Sequence, residues 1–238
     1  MAGRVREGGG SLEMRPGLAL ASRAKRVYCK TSPVRLAAAG HNNLEITPAM
    51  TTTQPMMPYG RPVLDEDDVQ AVAAAIRAGV LTDGPAVEAF ETAFAEATGA
   101  AEAIACSSGT TALHLVALGL DIKPGDQVIV PTVTFLATAN CVRFCGADVI
   151  FADADPNTGL MTPKNFEDAI AKGKPGKIKA VIPVHLSGQC CDMRAIKQIG
   201  DKHGIAVFED ACHALGGTYP GNEAVTVGSS KDSIAAVF

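Results

Sequence analysis

The pattern of apolar and polar positions changes near residue 56. Before it, Gly8-Gly9-Gly10-Ser11, scattered Arg and Thr51-Thr52-Thr53-Gln54-Pro55 follow neither a helical nor a strand period. After it, Asp65-Glu66-Asp67-Asp68 leads into Val69, Val72, Ala73 and Ile76, an acidic helix start above an i, i+3, i+4, i+7 stripe that Gly79 closes. A loop Leu81-Thr82-Asp83-Gly84-Pro85 follows, then a second helical stripe through Val87, Phe90, Phe94 and Ala97 to Gly99. From there short apolar runs alternate with helical stretches. The runs predict strands at 103–106, 127–130, 148–151, 180–183 and 206–208. The stretches between them predict helices at 111–118, 137–144, 165–171 and 193–203. Such alternation is the pattern of a mostly parallel α/β sheet covered by helices on both faces. Strands that are apolar throughout are those whose two faces are both buried.

Composition narrows the function classes. A hydrophobic content of 47% suits a chain with a packed core. The net charge of −4 is uneven. Residues 1–55 carry eight Lys/Arg against three Glu, and residues 56–238 carry thirteen against twenty-two Asp/Glu. An acidic globular part without Trp argues against nucleic acid as a partner. No apolar run approaches the ~18 residues of a membrane span, so no membrane partner is expected. The seven Cys form no paired C-x-x-C knuckles and read as reduced thiols of a cytoplasmic protein, with no metal site. Residues 1–55 are expected to be a disordered extension or an over-long gene start, with an organelle transit peptide as the alternative.

Ligands of open α/β sheets bind at the carboxyl ends of the strands, so the residues there carry the candidate chemistry. Cys106-Ser107-Ser108-Gly109-Thr110-Thr111 runs from a predicted strand into a helix. Small residues, hydroxyls and a helix N-terminus make it a phosphate cup, or else a plain Ser/Thr N-cap. Pro131-Thr132-Val133-Thr134-Phe135 ends the next strand, and its Phe135 is either core or an aromatic plate. Glu209-Asp210-Ala211-Cys212-His213 places two acids and a His at a third strand end, where burial demands partners. Pro183-Val184-His185-Leu186-Ser187-Gly188-Gln189 ends a fourth, and its His185 is equally a core or a site histidine. Taken in order, a phosphate cup, an aromatic plate and a carboxylate are what a phosphorylated pyridine ring requires.

These segments resemble a known family. Ser107-Ser108-Gly109-Thr110-Thr111-Ala112-Leu113, Val130-Pro131-Thr132-Val133-Thr134-Phe135-Leu136-Ala137-Thr138-Ala139-Asn140 and Glu209-Asp210-Ala211-Cys212-His213-Ala214 look like the DegT/DnrJ/EryC1/StrS aminotransferases. Pro58-Tyr59-Gly60-Arg61-Pro62, Leu81-Thr82-Asp83-Gly84-Pro85 and Asp153-Ala154-Asp155-Pro156-Asn157-Thr158-Gly159-Leu160 fit as well. The resemblance covers residues 57–238. It is nearest to the branch that makes 4-amino-4,6-dideoxy-N-acetyl-altrosamine on a nucleotide.

The resemblance implies a fold-type I large domain that binds pyridoxal 5'-phosphate (PLP). It implies amino transfer from an amino acid, glutamate by expectation, to a nucleotide-linked 4-keto-6-deoxy sugar, in a homodimer. Ser108, Gly109 and Thr110 would hold the cofactor phosphate, Phe135 would stack on the ring, and Asp210 would pair with the ring nitrogen. His213 would lie near the ring oxygen and is a candidate catalytic group. Thr82, Gly84 and Pro85 would lie over the sugar, with Ser187 and Gln189 lining the site. Members of the family continue into a Ser-Phe-His-x-x-Lys stretch whose lysine forms the Schiff base. This sequence ends at Phe238, so that lysine and the small C-terminal domain are expected to be absent, leaving an uncovered sheet edge. A same-fold dehydratase with His in the lysine's place, and a non-catalytic fragment, are the rival readings.

Overall fold

A computed structural model describes residues 63–238. The extension expected over 1–55 and the motif at 58–62 lie outside the described residues. The chain divides into two units, residues 1–69 and 70–238. Only 63–69 of the first are described, and the sheet belongs to the second.

Six helices and a set of short strands follow the predicted alternation. They are α1 (Glu66–Arg77), α2 (Pro85–Thr98), α3 (Gly109–Gly119), β1 (Gln127–Pro131), α4 (Leu136–Phe144), β2 (Asp148–Ala152), α5 (Pro163–Ile170), β3 (Ile178–Val181), α6 (Met193–His203), β4 (Ala206–Val207), β5 (Glu209–Asp210), β6 (Thr218–Tyr219), β7 (Asn222–Thr226) and β8 (Ala236–Val237). Local chemistry sets the boundaries. Thr162 and Asn165 form a reciprocal capping box at the start of α5, and Asp192 accepts the Ala195 N–H at the start of α6. Gly204 ends α6 with a φ of 66°, the left-handed conformation that glycine takes without strain.

The main sheet has the order β2-β1-β3-β4, every pair parallel. β4 and β5 are two ends of one extended run interrupted at Phe208, whose N–H still donates to Val181 O at 3.3 Å. On the other side of that run, β5 pairs in parallel with β8. The side chains alternate as a doubly covered sheet requires. Val128, Val130, Ala180, Ile182 and Phe208 bury against Leu113 of α3 and Val142 of α4. Ile129, Val181 and Val207 bury on the other face with Phe166 of α5 and Ile196 of α6. Each such large side chain contributes about 1.5–3 kcal/mol of burial.

Two expectations need correction. Residues 103–106 form no strand: no ladder bonds reach them among the described residues, and Ile104 is 81% exposed. The Ala105 N–H donates instead to Glu91 Oε1 at 2.7 Å. An apolar run becomes a strand only beside a partner strand. The stripe of α1 is present but buries nothing, since Val69, Val72 and Ile76 all remain exposed. The β6–β7 hairpin is an addition that no apolar period announces.

Burial also sets thiol chemistry. It pushes the Cys141 and Cys191 thiols up to about 12, whereas Cys106 is exposed. At pH 8 a thiol ionising near 12 is roughly one part in ten thousand thiolate, and the thiolate is the nucleophile. Brief iodoacetamide treatment of the folded chain should therefore alkylate Cys106 and spare Cys141 and Cys191, as read by peptide mass. Labelling of either buried thiol at the rate of Cys106 would contradict this packing.

Candidate active site

The strand order brings the ends of β3 and β5 and the starts of α3 and α4 to one cleft of about 240 Å³. Gly109, Thr110, Phe135, Asp210, Cys212 and His213 line it. These residues are separated by up to about a hundred positions in sequence: Gly109 and Thr110 open α3, Phe135 lies between β1 and α4, and Asp210, Cys212 and His213 lie at and after the end of β5.

At one end lies the first turn of α3. The Ser108 hydroxyl caps it by accepting the Thr111 N–H at 3.3 Å, and the Ser107 and Ser108 hydroxyls both lie 3.1 Å from Thr111 Oγ1. The N-cap and the cup are thus the same feature rather than alternatives. The Gly109 and Thr110 N–H groups make no hydrogen bond among the described residues, as first-turn amides do not. Together with the positive end of the helix dipole they offer an anion two unpaired donors. Gly109 packs closely: a Cβ there would lie 2.8 Å from Cys212 Sγ, so the methyl or the sulfur would have to shift.

Phe135 is the N-cap residue of α4 and is 73% exposed. An aromatic ring left open at a cleft is available to a flat apolar partner. One turn into α4, Thr138 donates its hydroxyl proton to Asp210 Oδ2 at 2.6 Å, and Thr134 Oγ1 lies 2.6 Å from Thr138 Oγ1. The Cys212 N–H reaches Asp210 Oδ1 at 3.4 Å. Asp210 is 5% exposed, so its carboxylate is buried, held at both oxygens and still part of the cleft wall. Burial, then the Asp210 carboxylate, pushes the Cys212 thiol up to about 12, which leaves it a neutral wall rather than a nucleophile.

His213 Nδ1 accepts the Ser187 N–H at 3.3 Å. The neutral ring then carries its proton on Nε2 and remains a donor toward the cleft. Ser187 therefore acts through its backbone, in a 3-10 turn at a φ of 54°. Gln189 donates to Thr158 O at 3.4 Å. Neither Ser187 nor Gln189 lines the cleft, and neither do Thr82, Gly84 and Pro85. Gly84 is the N-cap of α2 and Pro85 its first residue, a helix-start role that Pro fills well.

Three residues that sequence reasoning left unassigned belong here. Thr138 was visible only as the fourth residue after Thr134, the spacing of one helical turn. Cys212 could be foreseen only as a neighbour of Asp210. His185 also lines the cleft, although its side chain is fully buried.

The residues fit PLP. The unpaired amides would suit a phosphate, the open ring would suit stacking, and the buried, two-point-held carboxylate would suit a pyridinium nitrogen. Among the described residues no lysine lines the cleft, and none form a cluster of His, Cys, Asp or Glu suited to a metal ion. No helix among them is long and apolar enough to cross a membrane.

Replacing Thr138 by Val keeps its shape but removes a donor from Asp210. A hydrogen bond to a charged carboxylate is worth about 1.5–3 kcal/mol, of which only the part that orients Asp210 for the ring reaches cofactor affinity, so PLP should bind roughly three- to tenfold more weakly. Fluorescence titration with PLP checks this, and unchanged affinity would show that Thr138 does not hold the carboxylate.

The chain is similar to known proteins of solved structure. 3-Amino-5-hydroxybenzoic acid synthase shares 33% identity and a TM-score of 0.67, over 77% of this chain and 46% of that one. NtdA of Bacillus subtilis, solved with bound cofactor PMP, shares 35% identity and a TM-score of 0.61, over 66% and 35%. Spr1654 of Streptococcus pneumoniae in its PLP form shares 28% identity and a TM-score of 0.65, over 71% and 47%. The chain thus spans less than half the length of each of these relatives. The model of the DegT/DnrJ/EryC1/StrS aminotransferase family matches residues 62–236, and the chain belongs to that family.

Proposed function

We propose that these residues form the cofactor-binding part of a PLP-dependent sugar aminotransferase. The observation that carries the reading is the single cleft that joins the open amides of α3, exposed Phe135 and buried Asp210. When bound, PLP supplies an electron sink for charge developing at the substrate carbon. Gly109 and Thr110 N–H groups hold its phosphate, and Ser108 keeps that turn of α3 capped. Phe135 covers one ring face and excludes water from it. Asp210 keeps the ring nitrogen protonated, with Thr138 fixing the carboxylate. His213 Nε2–H donates to the ring oxygen.

The substrate class is proposed on the support of the family and the resemblance. The amino donor is an amino acid, glutamate by expectation, and the acceptor is a nucleotide-linked 4-keto-6-deoxy sugar of the altrosamine type. Thr82, Gly84, Pro85, Ser187 and Gln189 are proposed for the sugar side, which lies outside the cofactor cleft. A cytoplasmic homodimer is the proposed assembly, supported by exposed Leu115 and Leu118 on α3 and Leu136 and Phe144 on α4. Such apolar exposure commonly marks a surface that is covered in an assembly.

The test is a titration of the chain with PLP followed by absorbance and fluorescence: it should take up PLP, and Asp210→Asn or Gly109→Ala should weaken that uptake. Failure of the chain to bind PLP at all would overturn the reading.

A further inference from the structure

Behind the cleft lies a closed polar cluster that the proposed chemistry does not use. Glu209 and Asp210 are neighbours on β5, so their side chains point to opposite faces. Asp210 meets Thr138 of α4 on one face. Glu209, fully buried on the other, collects three partners. His185 Nε2 lies 2.6 Å from Glu209 Oε2, the Tyr219 hydroxyl donates to the same oxygen at 2.8 Å, and the Ser233 hydroxyl donates to Oε1.

The geometry fixes the protons. His185 Nδ1 accepts the Cys191 N–H at 3.2 Å, so the ring is the Nε2–H tautomer and donates to Glu209. Glu209 is therefore an acceptor three times over, and no buried side-chain polar atom among the described residues lacks a partner. The three donors come from three separate segments: the turn after β3, the β6–β7 hairpin, and the loop before β8. All three are thereby tied to the strand end that carries Asp210. The main chain completes the tie, because the Asp210 N–H donates to Pro183 O at 2.9 Å and the His185 N–H to Asp210 O at 3.0 Å.

We propose that Glu209, acting through His185 and the strand end at 183–185, is a positioning residue that sets the place of the Asp210 carboxylate for the cofactor ring. The inference rests on PLP being the ligand of the cleft. The cluster serves the ring end of the cleft and not the phosphate end, since none of its hydrogen bonds reaches α3.

The two ends give the test its discrimination. In the 238-residue chain, PLP affinity is measured by fluorescence titration, and inorganic phosphate is measured as a competitor of PLP. Glu209→Ala should weaken PLP at least tenfold while the inhibition constant of phosphate stays within twofold. Glu209→Gln should recover PLP affinity to within about threefold of the unaltered chain. Its amide oxygen can accept from His185 and Tyr219, and its amide nitrogen can donate to a rotated Ser233 hydroxyl. If Glu209→Ala does not fold, the pair Tyr219→Phe and Ser233→Ala leaves the carboxylate with His185 alone and should weaken PLP severalfold by the same phosphate-independent pattern. PLP and phosphate weakening together, or neither changing, would overturn the proposal while leaving the PLP reading intact. An unaltered chain that binds no PLP would remove that reading, and the proposal with it.

Discussion

Asp210→Asn is expected to weaken PLP binding about 10- to 100-fold, because a hydrogen bond to a charged partner is worth roughly 1.5–3 kcal/mol. The wild-type carboxylate is buried and already oriented by Thr138 and the Cys212 N–H, so it gives up little freedom when a ring nitrogen arrives. Asn keeps the shape and can still accept from Thr138, but it removes the charge that favours a protonated ring nitrogen. The loss should therefore be larger for PLP than for a deaza analogue that lacks that nitrogen. Titration of both variants with both ligands checks this. An equal loss for the two ligands would mean that Asp210 does not address the ring nitrogen.

The second large effect comes from Gly109→Ala. A Cβ at 2.8 Å from Cys212 Sγ is closer than atoms tolerate, and the strain of such overpacking is typically about 1–3 kcal/mol. Cys212 directly follows the Asp210–Ala211 strand end, so to the extent that its sulfur does not rotate away, relief of the clash moves the phosphate cup away from the carboxylate. Both grips on the cofactor then loosen together, and PLP should bind roughly 10- to 100-fold more weakly. Adding Cys212→Ala removes the sulfur that the new methyl meets, and it should restore most of the affinity. Residues in contact are expected to couple in this way, and a double-mutant cycle measures it. Additive losses would show that space at Gly109 is not what the cup requires.

Much of this molecule is legible in its sequence. The alternation of apolar runs placed β1, β2, β3 and β4 and the helices between them within a few residues, because parallel strands buried on both faces carry an unbroken hydrophobic signature. Helix α6 was placed at its observed ends, since Asp192 and Gly204 are strong start and stop residues. Residues 103–106 misled for a physical reason: their composition is that of a strand, but strand formation depends on a neighbour, which no local pattern reports. The β6–β7 hairpin carries its own signal in Pro220-Gly221, a turn pair that has no hydrophobic period.

At the site, the three chemical ends are readable because each follows an apolar run in the sequence, although the run at 103–106 forms no strand. Gly109, Thr110, Phe135, Asp210 and His213 come together in one cleft. The supporting contacts were not readable. That Thr138 meets Asp210 depends on how α4 packs across the sheet, and the separation of 72 residues hides it. Glu209 looked like a second acid of the site, yet strand alternation turns it to the opposite face. The space demanded at Gly109 depends on Cys212, more than a hundred positions away.

The central claim is that PLP sits in this cleft with its phosphate on the first turn of α3. The most direct measurement follows the backbone amide signals of the isotope-labelled chain during titration with PLP and, separately, with pyridoxal. The account predicts that PLP shifts the Gly109 and Thr110 amides together with those of 210–213. Pyridoxal, lacking the phosphate, should leave Gly109 and Thr110 in place. Shifts confined to the basic concavity lined by Lys174 and His203, with Gly109 and Thr110 unmoved by PLP, would contradict it.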